Sequence, residues 1–159
     1  MNKHCRNIVI FCLGIFIFVS CNSGGDSTNG SGGQTFTLTV KFTNVPAGYT
    51  SSSKSLIQIS ENRGGGLYVQ TAGINESMTI TGSTYTSTAK EYQLSGSVYT
   101  TAVKQFAAGT SVRFSNIFLD KNGNGIAETG EVNDGTHLTE TVLDADKTVT
   151  FDCSTLHIL

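Results

Sequence analysis

Apolar residues fall at every second position over much of this chain, and the stretches in which they do so are short. Phe36, Leu38, Val40 and Phe42 alternate with threonines and Lys41, the two-residue period of a strand with one buried face. The same alternation returns over residues 56–60, 67–71, 78–81, 92–94, 98–106, 112–119 and 149–153. Residues 45–48 (Val-Pro-Ala-Gly) turn the chain, because proline fixes φ and glycine permits positive φ. Arg63-Gly64-Gly65-Gly66 lacks the Lys-Ser/Thr of a phosphate cradle and has no helical pattern after it, so it reads as a hairpin turn. Residues 85–92 alternate less clearly and leave strand or loop open. Nowhere does a 3.6-residue stripe persist. The pattern predicts an all-β fold, an antiparallel β-sandwich of about seven or eight strands, with a small barrel as the alternative.

The first residues follow a different rule. Met1 to Arg6 is short and basic, residues 8–19 are an unbroken apolar run, and Ser20-Cys21 ends it, in the order of a cleaved export signal. A helix needs about 20 apolar residues to cross the hydrocarbon core, so this run is too short for a permanent span. Residues 22–34 (NSGGDSTNGSGGQ) contain no hydrophobic side chain and form a flexible tether. This start resembles the lipobox of bacterial lipoproteins, although Phe18 and Val19 replace the commonest residues there. The resemblance implies that Cys21 carries diacylglyceryl on sulfur and a fatty-acyl chain such as palmitate on its new amino group. Two or more chains anchor stably where one does not. Asn22 after the cysteine, by resemblance to lipoprotein sorting in two-membrane bacteria, favours the outer membrane of the cell envelope. The expected domains are a signal peptide (1–20), lipidated Cys21 with its linker (21–34), and a β-sandwich (35–159).

Removing the signal takes away Lys3 and Arg6, leaving eight basic residues against twelve acidic ones and a net charge of −4. Nucleic acid is therefore not an expected partner, and the membrane is reached through lipid rather than basic side chains. Cys5 and Cys12 leave with the signal, so Cys153 stands alone in the mature domain and is expected as a small buried residue on a strand.

Chemical content concentrates in residues 120–131 (DKNGNGIAETGE). Counted from Asp120, oxygen-bearing side chains fall at positions 1, 3, 5, 9 and 12 with glycine at 6, the spacing of a twelve-residue calcium loop. Ca²⁺ takes six to eight oxygens at about 2.3–2.6 Å, so a short chain must wrap the ion with alternate side chains pointing inward. Asp120, Asn122 and Asn124 are the expected side-chain ligands, with Gly125 at the bend and Ile126 offering its carbonyl. Glu128 would bind directly or through water, and Glu131 would close the sphere. Oxygen donors without His or Cys suit Ca²⁺ better than Zn²⁺ or Cu²⁺. The bland alternative is that Asn122-Gly123 and Asn124-Gly125 simply make hairpin turns. If calcium binds, substitution of Asp120 or Glu131 is expected to lower the melting temperature only when calcium is present.

The flanks are not those of an EF-hand. Residues 112–119 are β-branched and aromatic, and residues 132–136 contain a helix breaker, so no calmodulin-like opening is expected. Ala127 at loop position 8 replaces the usual aliphatic residue. From Val112 to about Cys153 the arrangement resembles immunoglobulin-like and transthyretin-like modules of secreted and lipid-anchored bacterial proteins. In those families the loop is a calcium clip between strands, which implies a fold and a ligand more than an activity. With about −3 of ligand charge, affinity is expected near 10⁻⁴–10⁻³ M, that of a constitutively filled extracellular site. Asp134, Glu140, Asp144 and Asp146 are read as a solvated acidic face, a second site being the alternative.

No enzyme is expected. His137 and His157 are the only imidazoles of the mature chain, and neither lies in a nucleophile motif. The expectation is a monomeric, non-catalytic module for surface binding or adhesion to a protein or glycan. Tyr49, Tyr68, Tyr85, Tyr92 and Tyr99 are the candidate contact aromatics. A structural envelope protein and an enzyme inhibitor are the rival classes; an exposed tyrosine platform would favour glycan binding, and a bare edge strand would favour assembly.

Overall fold

A computed structural model of the chain describes residues 33–135 and 139–159. Among them there is no helix. The strands are β1 (Thr35–Phe36), β2 (Leu38–Thr43), β3 (Lys54–Asn62), β4 (Tyr68–Ser77), β5 (Ile80–Thr81), β6 (Thr84–Thr88) and β7 (Lys90–Gln93) in the first part of the chain. They continue with β8 (Val98–Val103), β9 (Phe106–Ala107), β10 (Thr110–Asp120), β11 (Val132–Asp134), β12 (Glu140–Leu143) and β13 (Lys147–Asp152). One sheet has seven strands, in the order β11-β10-β3-β4-β7-β8 with β12 also on β10; a second has four, β13-β2-β6-β5; β1 and β9 pair by themselves. The sheets do not close, which removes the small barrel.

Alternation drives this arrangement. Leu38, Val40 and Phe42 of β2 are wholly buried while Thr39, Lys41 and Thr43 are partly exposed. Ile57 and Ile59 of β3, Ile74 of β4, and Phe114, Ile117 and Leu119 of β10 join them in one hydrophobic cluster, so the two larger sheets share a core. Phe151 of β13 links them, with its ring 5.5 Å from Phe42 and set edge-on to Phe114 at 5.0 Å. Strict alternation would put Phe114 and Ile117 on opposite faces. A bulge between Phe114 and Asn116 inserts Ser115 and returns Ile117 and Leu119 to the inside.

Several boundaries differ from the sequence reading. The run expected over 67–71 extends as β4 to Ser77, while Leu67 is 60% exposed in the Arg63–Gly66 turn, which forms as expected with Arg63 donating to Leu67. Gly73 carries the longer strand through a crowded point, since a Cβ there would lie 2.3 Å from both the Ile57 carbonyl and the Tyr99 ring. The run 98–106 divides into β8 and β9, because the chain leaves β7 at Lys104 to pair with β1. Residues 85–92 supply most of β6 and β7. Not every pair is antiparallel: β13 runs parallel to β2 over six residues. Alternation marks which face is buried and says nothing of strand direction. Cys153 is buried as expected but lies in the turn just past the end of β13 rather than on a strand, and burial pushes its thiol up to about 11, which keeps it protonated and unreactive.

Candidate metal centre

β10 and β11 form an antiparallel hairpin whose connection, residues 121–131, is the predicted loop. Asp120 is the last residue of β10, and Glu131 immediately precedes β11. Each is 2% exposed, although both carry carboxylates. The loop's own backbone satisfies them. Asp120 Oδ1 accepts the Gly123 amide at 2.6 Å and Oδ2 accepts the Gly125 amide at 2.7 Å. Glu131 Oε1 accepts the Lys121 amide at 2.7 Å and Oε2 the Glu128 amide at 2.9 Å. Asn122 and Asn124 continue the winding as successive Asx turns, accepting the amides of Asn124 and Ile126 through their side-chain oxygens at 3.0 and 2.7 Å. Their amide nitrogens both donate to Glu128, at 2.8 and 3.1 Å. Gly125 takes φ of 79° at the expected bend, and Ile126 is exposed at the tip.

The fit to a cation is decided by charge. Among the described residues, no Lys or Arg forms an ion pair with Asp120, Glu128 or Glu131. Two carboxylates are thus buried at the two ends of one loop, held by backbone amides and without an ion pair although Lys54 is the register partner of Asp120 on β3, a costly arrangement for like charges. Every carboxylate oxygen spends one lone pair on its N–H and keeps another. The donors are all hard oxygens, so the set fits Ca²⁺ in kind. Among the described residues no three His, Cys, Asp or Glu side chains gather as a metal-holding group, so a site here depends on Asn122, Asn124 and the Ile126 carbonyl as well.

Sequence reasoning missed the support around this loop. Tyr49, in the β2–β3 connection, is only 8% exposed; its hydroxyl donates to the Leu119 carbonyl at 2.8 Å and accepts the Val132 amide at 3.1 Å. Ser53 Oγ donates to the Lys121 carbonyl at 2.6 Å. Gly123, at φ of 75°, lies so close to the Ser52 carbonyl that a Cβ would sit 2.4 Å from it. On the other side, the Gly130 amide donates to Leu159 O at 2.7 Å and the Leu159 amide to Glu131 O at 3.0 Å. These partners lie far away in sequence, and no local signal marks them.

The remaining candidates separate. Tyr49 and Tyr85 are core residues, not contact aromatics, and burial pushes both phenols up to about 12. Tyr68, Tyr92 and Tyr99 share the outer face of the seven-stranded sheet. Tyr92 and Tyr99 are cross-strand partners with rings 4.9 Å apart, and the Tyr99 hydroxyl accepts from Gln70 at 2.7 Å. The Arg113 guanidinium lies 3.7 Å over the Tyr68 ring. Among the described residues, the four further acidic residues do not gather as a metal-holding group. Asp146 accepts the amide and hydroxyl of Thr37, which hold its carboxyl below the usual range; Glu140 accepts from Ser111 and Tyr68, with the same effect; Asp144 faces Lys147 at 3.6 Å. Asp134 lies on β11. His157 is exposed. Cys21, the signal, most of the linker and His137 lie outside the described residues. No family model, curated protein or solved structure matched the chain.

Proposed function

We propose that this chain is a lipid-anchored, extracytoplasmic β-sandwich of the bacterial envelope, tethered at Cys21 to the outer membrane, that binds calcium at residues 120–131 and serves in surface binding or adhesion without catalysis. The observation that carries the calcium assignment is the burial of Asp120 and Glu131 with amide partners and, among the described residues, no ion pair to a cationic side chain. Asp120 and Glu131 would hold the ion from the two strand ends, and Asn122, Asn124 and the Ile126 carbonyl from the turn. Glu128 would bind directly or through water, each of its oxygens keeping a second lone pair beside its Asn122 or Asn124 partner. Bound calcium supplies the positive charge that the site lacks. The outer-face tyrosines, with Gln70 and Arg113 among them, support a binding surface for a glycan or protein. An assembly role is the second reading, favoured by β13, a regular six-residue strand at the sheet edge.

Calcium is expected to raise the melting temperature and equimolar magnesium is not. At about 20-fold excess over Kd the stabilisation is about 1.8 kcal/mol, or roughly 5–10 °C for a domain of this size. Superimposed melts in calcium, magnesium and chelator would leave the loop as a set of Asn-Gly turns. For the anchor, Cys21→Ala should abolish labelling by radioactive palmitate and move the protein from the detergent phase to the aqueous phase. Unchanged partition would remove the lipid from the proposal.

A further inference from the structure

The hydroxyl of Tyr49 sits at the neck of the loop. Leu119 and Val132 are register partners across β10 and β11, and Tyr49 joins the carbonyl of one to the amide of the other, at 2.8 and 3.1 Å. Asp120 follows Leu119 and Glu131 precedes Val132, so the two buried carboxylates each stand one residue outside the bridged pair. The same β2–β3 connection meets the loop twice more, through Ser53 on the Lys121 carbonyl and Ser52 against Gly123. Tyr49 is the member of that connection that bonds to both strands.

Resting on the calcium assignment above, we propose that Tyr49 is a positioning residue for the metal loop: its hydroxyl fixes the separation of the two strand ends and thereby the approach of the Asp120 and Glu131 carboxylates to one ion. Core packing needs only the ring. The hydroxyl carries the positioning, because it bonds to both strands one residue before the ligands diverge and, unlike the Lys121–Glu131 bond, engages no ligand itself. Calcium demands several oxygens at fixed distance, so a neck free to open costs affinity even when the fold survives.

Tyr49→Phe separates the two roles. The full chain in detergent micelles is titrated with calcium chloride by calorimetry, well below its melting temperature, so that only folded protein is measured. Tyr49→Phe is expected to raise the calcium Kd about tenfold, the equivalent of one lost hydrogen bond of ordinary strength. Tyr85→Phe serves as the control. Tyr85 is also buried, but its hydroxyl meets the side chains of Ser55 and Glu76 on β3 and β4 and bonds to neither strand of the loop hairpin, so this variant is expected to lower the melting temperature and leave Kd unchanged. Should Tyr49→Phe not fold, Ser53→Ala tests the same connection at the Lys121 carbonyl, with an expected rise of about threefold in Kd. A wild-type chain that binds calcium while the variant tested keeps the same Kd overturns the positioning role alone. A wild-type chain that takes up no calcium overturns the calcium assignment and the positioning role with it.

Discussion

Replacing Glu131 by alanine is expected to destabilise the protein in chelator as well as in calcium, and by more in calcium. The carboxylate is 2% exposed and accepts the amides of Lys121 and Glu128. Alanine removes both bonds, and although the two amides sit on exposed residues, each hydrogen bond to a charged acceptor contributes about 1.5–3 kcal/mol. A loss of about 3 kcal/mol is therefore expected without any metal. The sequence alone suggests that the variant acts only when calcium is present; the amide bonds overturn that simplification. What identifies a ligand is the increment. Wild type should gain stability on adding calcium, and Glu131→Ala should gain almost none, as should Asp120→Ala, whose carboxylate holds Gly123 and Gly125. Urea unfolding of wild type and both variants, with and without calcium, measures the three calcium gains and the two losses in chelator. An equal calcium gain in wild type and variants would make the carboxylates backbone caps and nothing more.

Phe42→Ala should produce a loss of about 3–5 kcal/mol, in the upper range for core truncations. Phe42 is wholly buried and packs between Tyr85, with ring centres 6.0 Å apart, and Phe151 at 5.5 Å; Phe151 in turn meets Phe114 of the seven-stranded sheet. Its removal empties the junction at which the two sheets meet. Native domains are stable by only about 5–15 kcal/mol, so this single change consumes a large share. Phe42→Leu keeps most of the volume and should cost less than half as much. A loss below about 1 kcal/mol for alanine, read from the unfolding midpoint at constant m-value, would mean that the sheets do not depend on a common core.

How legible these features were depends on whether their cause is local. β2, β3, β10 and β13 could be read from alternation because each has one face against the core. The Ser115 bulge could not, since a single inserted residue resembles a lapse in the pattern until a partner strand fixes the register. β11 and β12 are short and polar, and they form because each pairs with half of β10. The loop was visible for the opposite reason: its oxygen-bearing side chains lie within twelve residues, and the Asx turns that wind it are set by neighbours two residues apart. Tyr49 was legible only as an aromatic in a turn, which suggests a surface residue. Its role comes from Leu119 and Val132, and no pattern in the first third of the chain announces them.

The parallel pair has a consequence for the order of events during synthesis. Residues 38–43 are among the first of the domain to emerge, and their partner residues 147–152 follow more than a hundred residues later. Until then β2 holds only β6, with its other backbone edge bare. Contacts of such long sequence separation form slowly. A chain halted before residue 147 would therefore expose a hydrophobic strand edge ready to recruit foreign strands, so completion of the last strand acts as a late checkpoint against aggregation.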